Sequence, residues 1–446
     1  MTIKSQLFQS LSNRVFARLY WAQTINLIGD SLTWVGLALL AFDLAGKNSG
    51  VVLSVALTLR VSAFVLLSPL AGAIADRFDR KRIMVVTHLG RMLLVSCLPF
   101  VTQIWQIYAL VLALNVFSAF FTPTYKATIP LVTSKDVYPQ AIALSSATYQ
   151  LLGVLGPGLA GAVAAFIGAR QVFFLDGVTF LVAAILILAL PGKLIVEQSQ
   201  QAIRTVGRTW QDIRIGTTSL FIDPSIRYAL FMELVTAIAG AQILVNTVGY
   251  VQGTLKLGNV EYGWVMAAFG IGATIASVIF GNLSQRLKWT TLVRVGAIAI
   301  AVALLPANFV NLPWLLLLWS IAGAGQSLVD LPTQMLIADR IPTQAQGKVY
   351  GAHFAWSHLW WGFSYPLAGW LGSHLTEYNF FWGAAIVIVL LVVLEIVFKP
   401  KNLTTGFWHE HEHTHDDYHQ HERASQDLMQ QQQSHIHLHF HSIAHL

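Results

Sequence analysis

Asp30 stands in the middle of an apolar run, with Asn26 and Gln23 placed four and seven residues before it, spacings that line one face of a helix. A carboxylate so placed can take up a proton or a cation and release it again. An ionisable side chain within such a run costs about 2.5 to 3.5 kcal/mol on insertion scales, so each one calls for a function or a partner. The others at this depth are Arg60, Arg91, Asp176, Glu233 and Asp330, with Glu395 close enough to the end of its run to reach water. Arg60 and Arg91 are each candidates to pair with Asp30 or Asp176. His353 and His358 share one further run. Five residues apart, they stand about 140° apart on a helix and do not chelate from one face. His358, beside Ser357, is the one expected to face a cavity as a ligand or proton carrier.

A second concentration of chemistry lies at the end of the chain. Eleven of the fifteen histidines follow residue 408: His409, His411, His413, His415, His419 and His421, then, after a Gln-rich spacer, His435, His437, His439, His441 and His445. Neutral imidazole is the common nitrogen ligand for nickel, cobalt, zinc and copper(II). Alternate positions of an extended chain share a side, which gives overlapping, exchangeable sites of low selectivity. The run His409-Glu410-His411-Glu412-His413 formally matches H-E-x-x-H, but that zinc chemistry needs a helix buried in a folded domain. Residues 401 to 446 are polar without an apolar period and read as disordered.

The elements that position the interior groups are membrane spans. Of 446 residues, 55% are apolar and only 11% charged, too little charge to cover a soluble globule of this size. Mean hydropathy is +0.60. Runs of about 20 apolar residues fall at 19 to 44, 51 to 74, 83 to 101, 105 to 123, 141 to 166 and 171 to 190. After a polar stretch come 226 to 251, 262 to 284, 291 to 309, 313 to 338, 349 to 371 and 380 to 398. These predict an all-α integral membrane protein: a six-helix bundle over 1–191, a cytoplasmic central loop over 192–225, a second six-helix bundle over 226–400 and the tail. The net charge of +6 is spread over short loops and forms no basic domain, which excludes a nucleic-acid partner. Cys97 is the only cysteine, so there is no internal disulfide and no thiolate-cluster metal site. The first apolar run is far longer than a signal-peptide core and has no small-residue cleavage site. No nucleophile, base and orienting group can be recognised together, so an enzyme is not expected.

If the spans alternate, 22 Lys and Arg fall on the side that holds both termini and 3, Lys47, Arg170 and Lys256, on the other. That asymmetry places both termini and the tail in the cytoplasm. Four of the cations crowd the loop Gly72-Ala-Ile-Ala-Asp76-Arg77-Phe-Asp79-Arg80-Lys81-Arg82, which a weaker copy, Gly281-Asn-Leu-Ser-Gln285-Arg286, echoes six spans later. The halves are therefore related by duplication, an arrangement that in transporters sets the substrate site near the midplane between repeats. Asp76 is placed to cap the third helix and meet its positive dipole end.

The loop resembles the G-x-x-x-D-R-x-G-R-[KR]-[KR] element of the major facilitator superfamily, matched at Gly72, Asp76, Arg77, Arg80, Lys81 and Arg82, with Asp79 where the family usually has Gly. Gly153-Val-Leu-Gly156-Pro157-Gly158-Leu-Ala-Gly161 resembles the Gly-Pro motif of its antiporters. The resemblance covers about residues 14 to 400. It implies a monomeric, multi-pass plasma-membrane exporter working by alternating access, with the loop cations latching the cytoplasmic gate and Pro157 letting its helix bend. With the His-rich tail, the whole is similar to bacterial nickel-resistance permeases. That implies proton-coupled efflux of nickel, or of cobalt, zinc or copper, through a cavity lined by Asp30, Glu233, Asp330 and His358, with no resident cofactor. Partners are then the bilayer, protons and a divalent metal ion. The competing expectations are export of an organic drug or siderophore, in which the Trp-rich eleventh span stacks on an aromatic ligand, and a metal-sensing receptor without flux.

Overall fold

The computed structural model describes residues 10–134, 137–192, 194, 205–341, 343–398, 406–413 and 435–442. Twelve long helices follow the twelve expected spans. The first half holds α1 (Arg14–Ala45), α2 (Ser49–Arg77), α3 (Arg80–Cys97), α4 (Ile104–Val132), α5 (Tyr138–Ile167) and α6 (Val172–Leu188). An additional helix, α7 (Thr205–Ile222), lies between the halves. The second half holds α8 (Pro224–Val248), α9 (Asn259–Arg286), α10 (Trp289–Leu304), α11 (Leu312–Arg340), α12 (Thr343–His374) and α13 (Asn379–Val397). Among the described residues, nine stretches are long and apolar enough to cross a membrane, one of them running through both α1 and α2.

Two expectations are corrected here. The central stretch 192–225 is not all loop: α7 buries Leu220 against Ile226, Leu336, Ile341 and Val349, because its apolar residues fall on one face. The tail, read as disordered, contains an antiparallel ribbon of β1 (Gly406–His413) and β2 (His435–Ser442). Its alternating sequence suits extended backbone pairing.

Caps fix where the helices begin. Asn13 accepts from the backbone of Val15 and Phe16 at α1, and Asp223 accepts from Ser225 and Ile226 at α8, where Pro224 follows directly. At α3 the cap is Asp79, and not the expected Asp76. It accepts from Lys81 N at 3.1 Å and from Leu194 N at 3.0 Å, which ties the loop to the segment after α6. Asp79 is the residue that departs from the family pattern, so the departure has a structural use. Asp79→Ala is expected to cost about 1 kcal/mol, read as a lowered thermal midpoint in detergent.

The two halves pack through α5 on α9 and α2 on α12. Their close backbone approaches lie at the end away from the termini. A Cβ on Gly161 would stand 2.7 Å from Gly263 Cα, and one on Gly158 would stand 2.8 Å from Ala267 Cα. Only small residues let two backbones meet this way in lipid. Gly153 meets nothing within 4 Å, whereas a side chain at Gly156 would collide with Ser31 of α1. The side chain of Pro157 lies outside the described residues.

Candidate functional site

Each half carries a buried acidic cluster built from helices that are distant in sequence. In the first half, Arg91 of α3 donates to Asp30 and, at 2.9 Å, to Asn26 Oδ1 of α1. Asn26 Nδ2 also donates to Asp30 Oδ2 at 3.2 Å, so two of the three polar residues expected on that face of α1 act together, while Gln23 Oε1 is buried without a hydrogen-bond partner among the described residues. Asp176 of α6 is fully buried and accepts from Thr33 at 2.5 Å and Thr179 at 2.9 Å. A cavity of about 20 Å³ separates these groups, lined also by Trp34, Asn115 and Ser118, which is room for about one water. One carboxyl group therefore pairs with the guanidinium and the other is held by two hydroxyls, in a site with room for a single water. Of the two candidate cations, Arg91 is the one that pairs.

In the second half, the two oxygens of Glu233 on α8 both lie 2.9 Å from His353 Nε2 on α12. Asp330 of α11 accepts from Thr236 at 3.2 Å, and the same hydroxyl stands 2.9 Å from the main-chain carbonyl of Glu233 one turn earlier, which ties Asp330 to α8. Glu233 and His353 are both buried. Here the counter-group is a histidine, which can lose its charge, where the first half has an arginine, which cannot. The histidine against the acid is His353, and not the expected His358. The 140° separation was sound, and the two histidines do divide their roles, but only packing shows that His353 is the one against the acid.

His358 faces the other half. Its ring lies 6.4 Å from that of Phe64 on α2, and its Nδ1 donates to Phe354 O at 2.8 Å. Arg60 does not pair with Asp30; its guanidinium sits 4.6 Å over the Trp34 ring. Glu395 accepts from Tyr228 and from Arg294 at 2.8 Å. Tyr228, Arg294 and Glu395 thus join α8, α10 and α13 in a separate polar group.

The side chains of Gly72, Asp76 and Arg77 lie outside the described residues. Arg80 and Lys81 donate to the carbonyls of Ala127 and Leu190, at 2.5 and 2.6 Å, and Arg82 lies 3.9 Å from Asp79. All three contacts stay within the first half, where late carbonyls of a helix attract cations. Among the described residues, no three His, Cys, Asp or Glu side chains converge to hold a metal ion. The tail histidines His415, His419, His421 and His445 lie outside those residues. For the others, only backbone register is described: His409 opposite His439, His411 opposite His437, His413 opposite His435 and Phe407 opposite His441.

Residues 5–347 match the family model described as transmembrane secretion effector. The chain is 25% identical to an uncharacterised transporter of the major facilitator type, YfiS of Bacillus subtilis (strain 168), over 74% of this chain and 80% of that one. It is 22% identical to a multi-drug resistance efflux pump PmrA homolog of Lactococcus lactis, over 80% of this chain and 86% of the pump. In fold it resembles the nucleoside transporter NupG, with a TM-score of 0.65 at 13% identity, covering 86% of this chain and 98% of that one.

Proposed function

Because the chain belongs to the transmembrane secretion effector family of major facilitator exporters, we propose that it expels a small organic compound across the plasma membrane in exchange for protons. The observation that carries this reading is the Glu233–His353 contact beside Asp330, a buried acid, base and acid on three helices of one bundle. A proton arriving there neutralises a carboxylate or charges the imidazole, and either event changes which helix faces attract one another. Asp30, Asp176 and Arg91 hold a comparable set in the other bundle, with a fixed positive charge. The cation asymmetry between the two sides puts both termini in the cytoplasm, so the end where the halves close on Gly158 and Gly161 faces outward. Relatives named for multidrug efflux support an organic substrate. Everted vesicles given an acid interior and offered a cationic dye, ethidium, or an anionic one, 5-carboxyfluorescein, are expected to accumulate at least one of them, and a protonophore is expected to release it. If neither dye moves, proton-coupled organic export is wrong.

A second reading, export of nickel or another divalent metal, is favoured by one observation. In the β1–β2 register six histidines stand opposite one another in three successive pairs at alternate positions, on one face of the ribbon. Under this reading the tail gathers metal for the transporter. Expelling a divalent cation against 100 mV costs about 4.6 kcal/mol, twice the single-charge value, which two entering protons would offset. Deletion of residues 401–446 is expected to lower nickel tolerance of an expressing strain if this reading holds, and to leave dye export unchanged if the first holds alone.

A further inference from the structure

The seam between the halves holds two cations that the acidic clusters do not use. Arg60 of α2 stands over Trp34 of α1, and Lys126 of α4 stands with its Nζ 5.0 Å from the Phe354 ring of α12, across the seam. His358 is within electrostatic reach of both. The Phe354 and His358 rings pack in a tilted pair with centres 3.9 Å apart, and Trp361 and Tyr365 continue the same stripe at 5.5 Å. At offsets of four, seven and eleven residues from Phe354, these four side chains lie along one face of α12. Lys126 keeps part of its surface open while its Nζ stands against the opposite half.

The acids at membrane depth are all engaged elsewhere. Asp30 is on Arg91, Asp176 on Thr33 and Thr179, Glu233 on His353, Asp330 on Thr236, and Glu395 on Arg294 and Tyr228. Among the described residues, neither Arg60 nor Lys126 has a carboxylate within 4.0 Å. A cation at this depth needs a counter-charge or water. The seam therefore presents two unneutralised positive charges beside an aromatic wall, and it repels any cation passing between the halves.

We propose that the substrate is an aromatic organic anion. Its acid group would be drawn to the positive stretch that runs from Arg60 past His358 to Lys126, and its ring would lie against Phe354, His358 and Trp361. A guanidinium accepts a carboxylate or sulfonate with two parallel hydrogen bonds, while an ammonium adds a point charge. This inference rests on the organic-export reading and names its substrate class. It also separates that reading from metal export, because a divalent cation is disfavoured at this seam.

In acid-loaded everted vesicles the protein is expected to accumulate 5-carboxyfluorescein and not ethidium. Arg60→Gln with Lys126→Gln should lower carboxyfluorescein accumulation at least about tenfold, while Lys126→Arg should keep most of it. Reversing both charges, Arg60→Glu with Lys126→Glu, should exchange the preference and admit ethidium, a gain that a misfolded variant cannot show. Accumulation of ethidium alone by the unaltered protein would overturn the anion site and leave proton-coupled export standing. A carboxyfluorescein signal unchanged in the double Gln variant, or lost equally in Lys126→Arg, would also overturn it. Movement of neither dye removes both readings.

Discussion

Replacing Glu233 by Gln should abolish gradient-driven accumulation of substrate while leaving the protein folded and able to let substrate equilibrate. Gln fills the same volume and still accepts from His353, but it cannot carry the proton that the carboxylate and imidazole share in the present arrangement. The expected size follows from the driving force. A pH difference of one unit is worth about 1.4 kcal/mol, or about tenfold in accumulation for each proton exchanged, and an uncoupled carrier falls to a ratio of about one. His353→Gln should behave in the same way, because the pair acts as one unit. The check is steady-state accumulation under an imposed gradient, set beside counterflow without one. Loss of both activities would mean that the pair holds the fold and does not couple it. Full retention of driven accumulation in both variants would move the coupling to Asp30 and Asp176.

The largest effect on stability should come from Arg91→Met. The guanidinium contacts Asp30, Asn26 and, at 4.1 Å, the face of Phe180, so its removal leaves a carboxylate at membrane depth with only an amide for company. Breaking a buried ion pair from one side costs about 3 to 5 kcal/mol. The low end is expected here, because the Asp30 side chain is 33% exposed. The double variant Asp30→Asn with Arg91→Met should recover most of the loss, since no charge is then stranded. Thermal unfolding in detergent measures both. If the double variant is no better than Arg91→Met alone, packing on Phe180 and not charge is what Arg91 supplies.

The twelve spans were legible because transfer of an apolar run into lipid depends on the run itself, and local composition reports it. The same holds for the expectation that Asp30 shares a face with Asn26, since helical spacing is local. Local composition misplaces Lys126: it ends the fourth span at residue 123, whereas α4 continues through Pro123 and Pro130 to Val132 and holds Lys126 inside the helix. A proline removes one hydrogen bond, and membrane helices tolerate that where neighbours satisfy the freed carbonyl.

What the sequence determined by itself was therefore the membrane class, the number of spans, the sided distribution of charge and the set of ionisable groups too costly to be accidental. Which of those groups meet was decided only by tertiary structure. Arg91 and not Arg60 reaches Asp30, His353 and not His358 reaches Glu233, and Asp79 and not Asp76 caps α3. The first two choices depend on the rotation and depth of helices that lie far apart in the chain, 61 residues for Arg91 and Asp30 and 120 for His353 and Glu233. Periodicity within one helix carries no information about the angle at which another helix will face it.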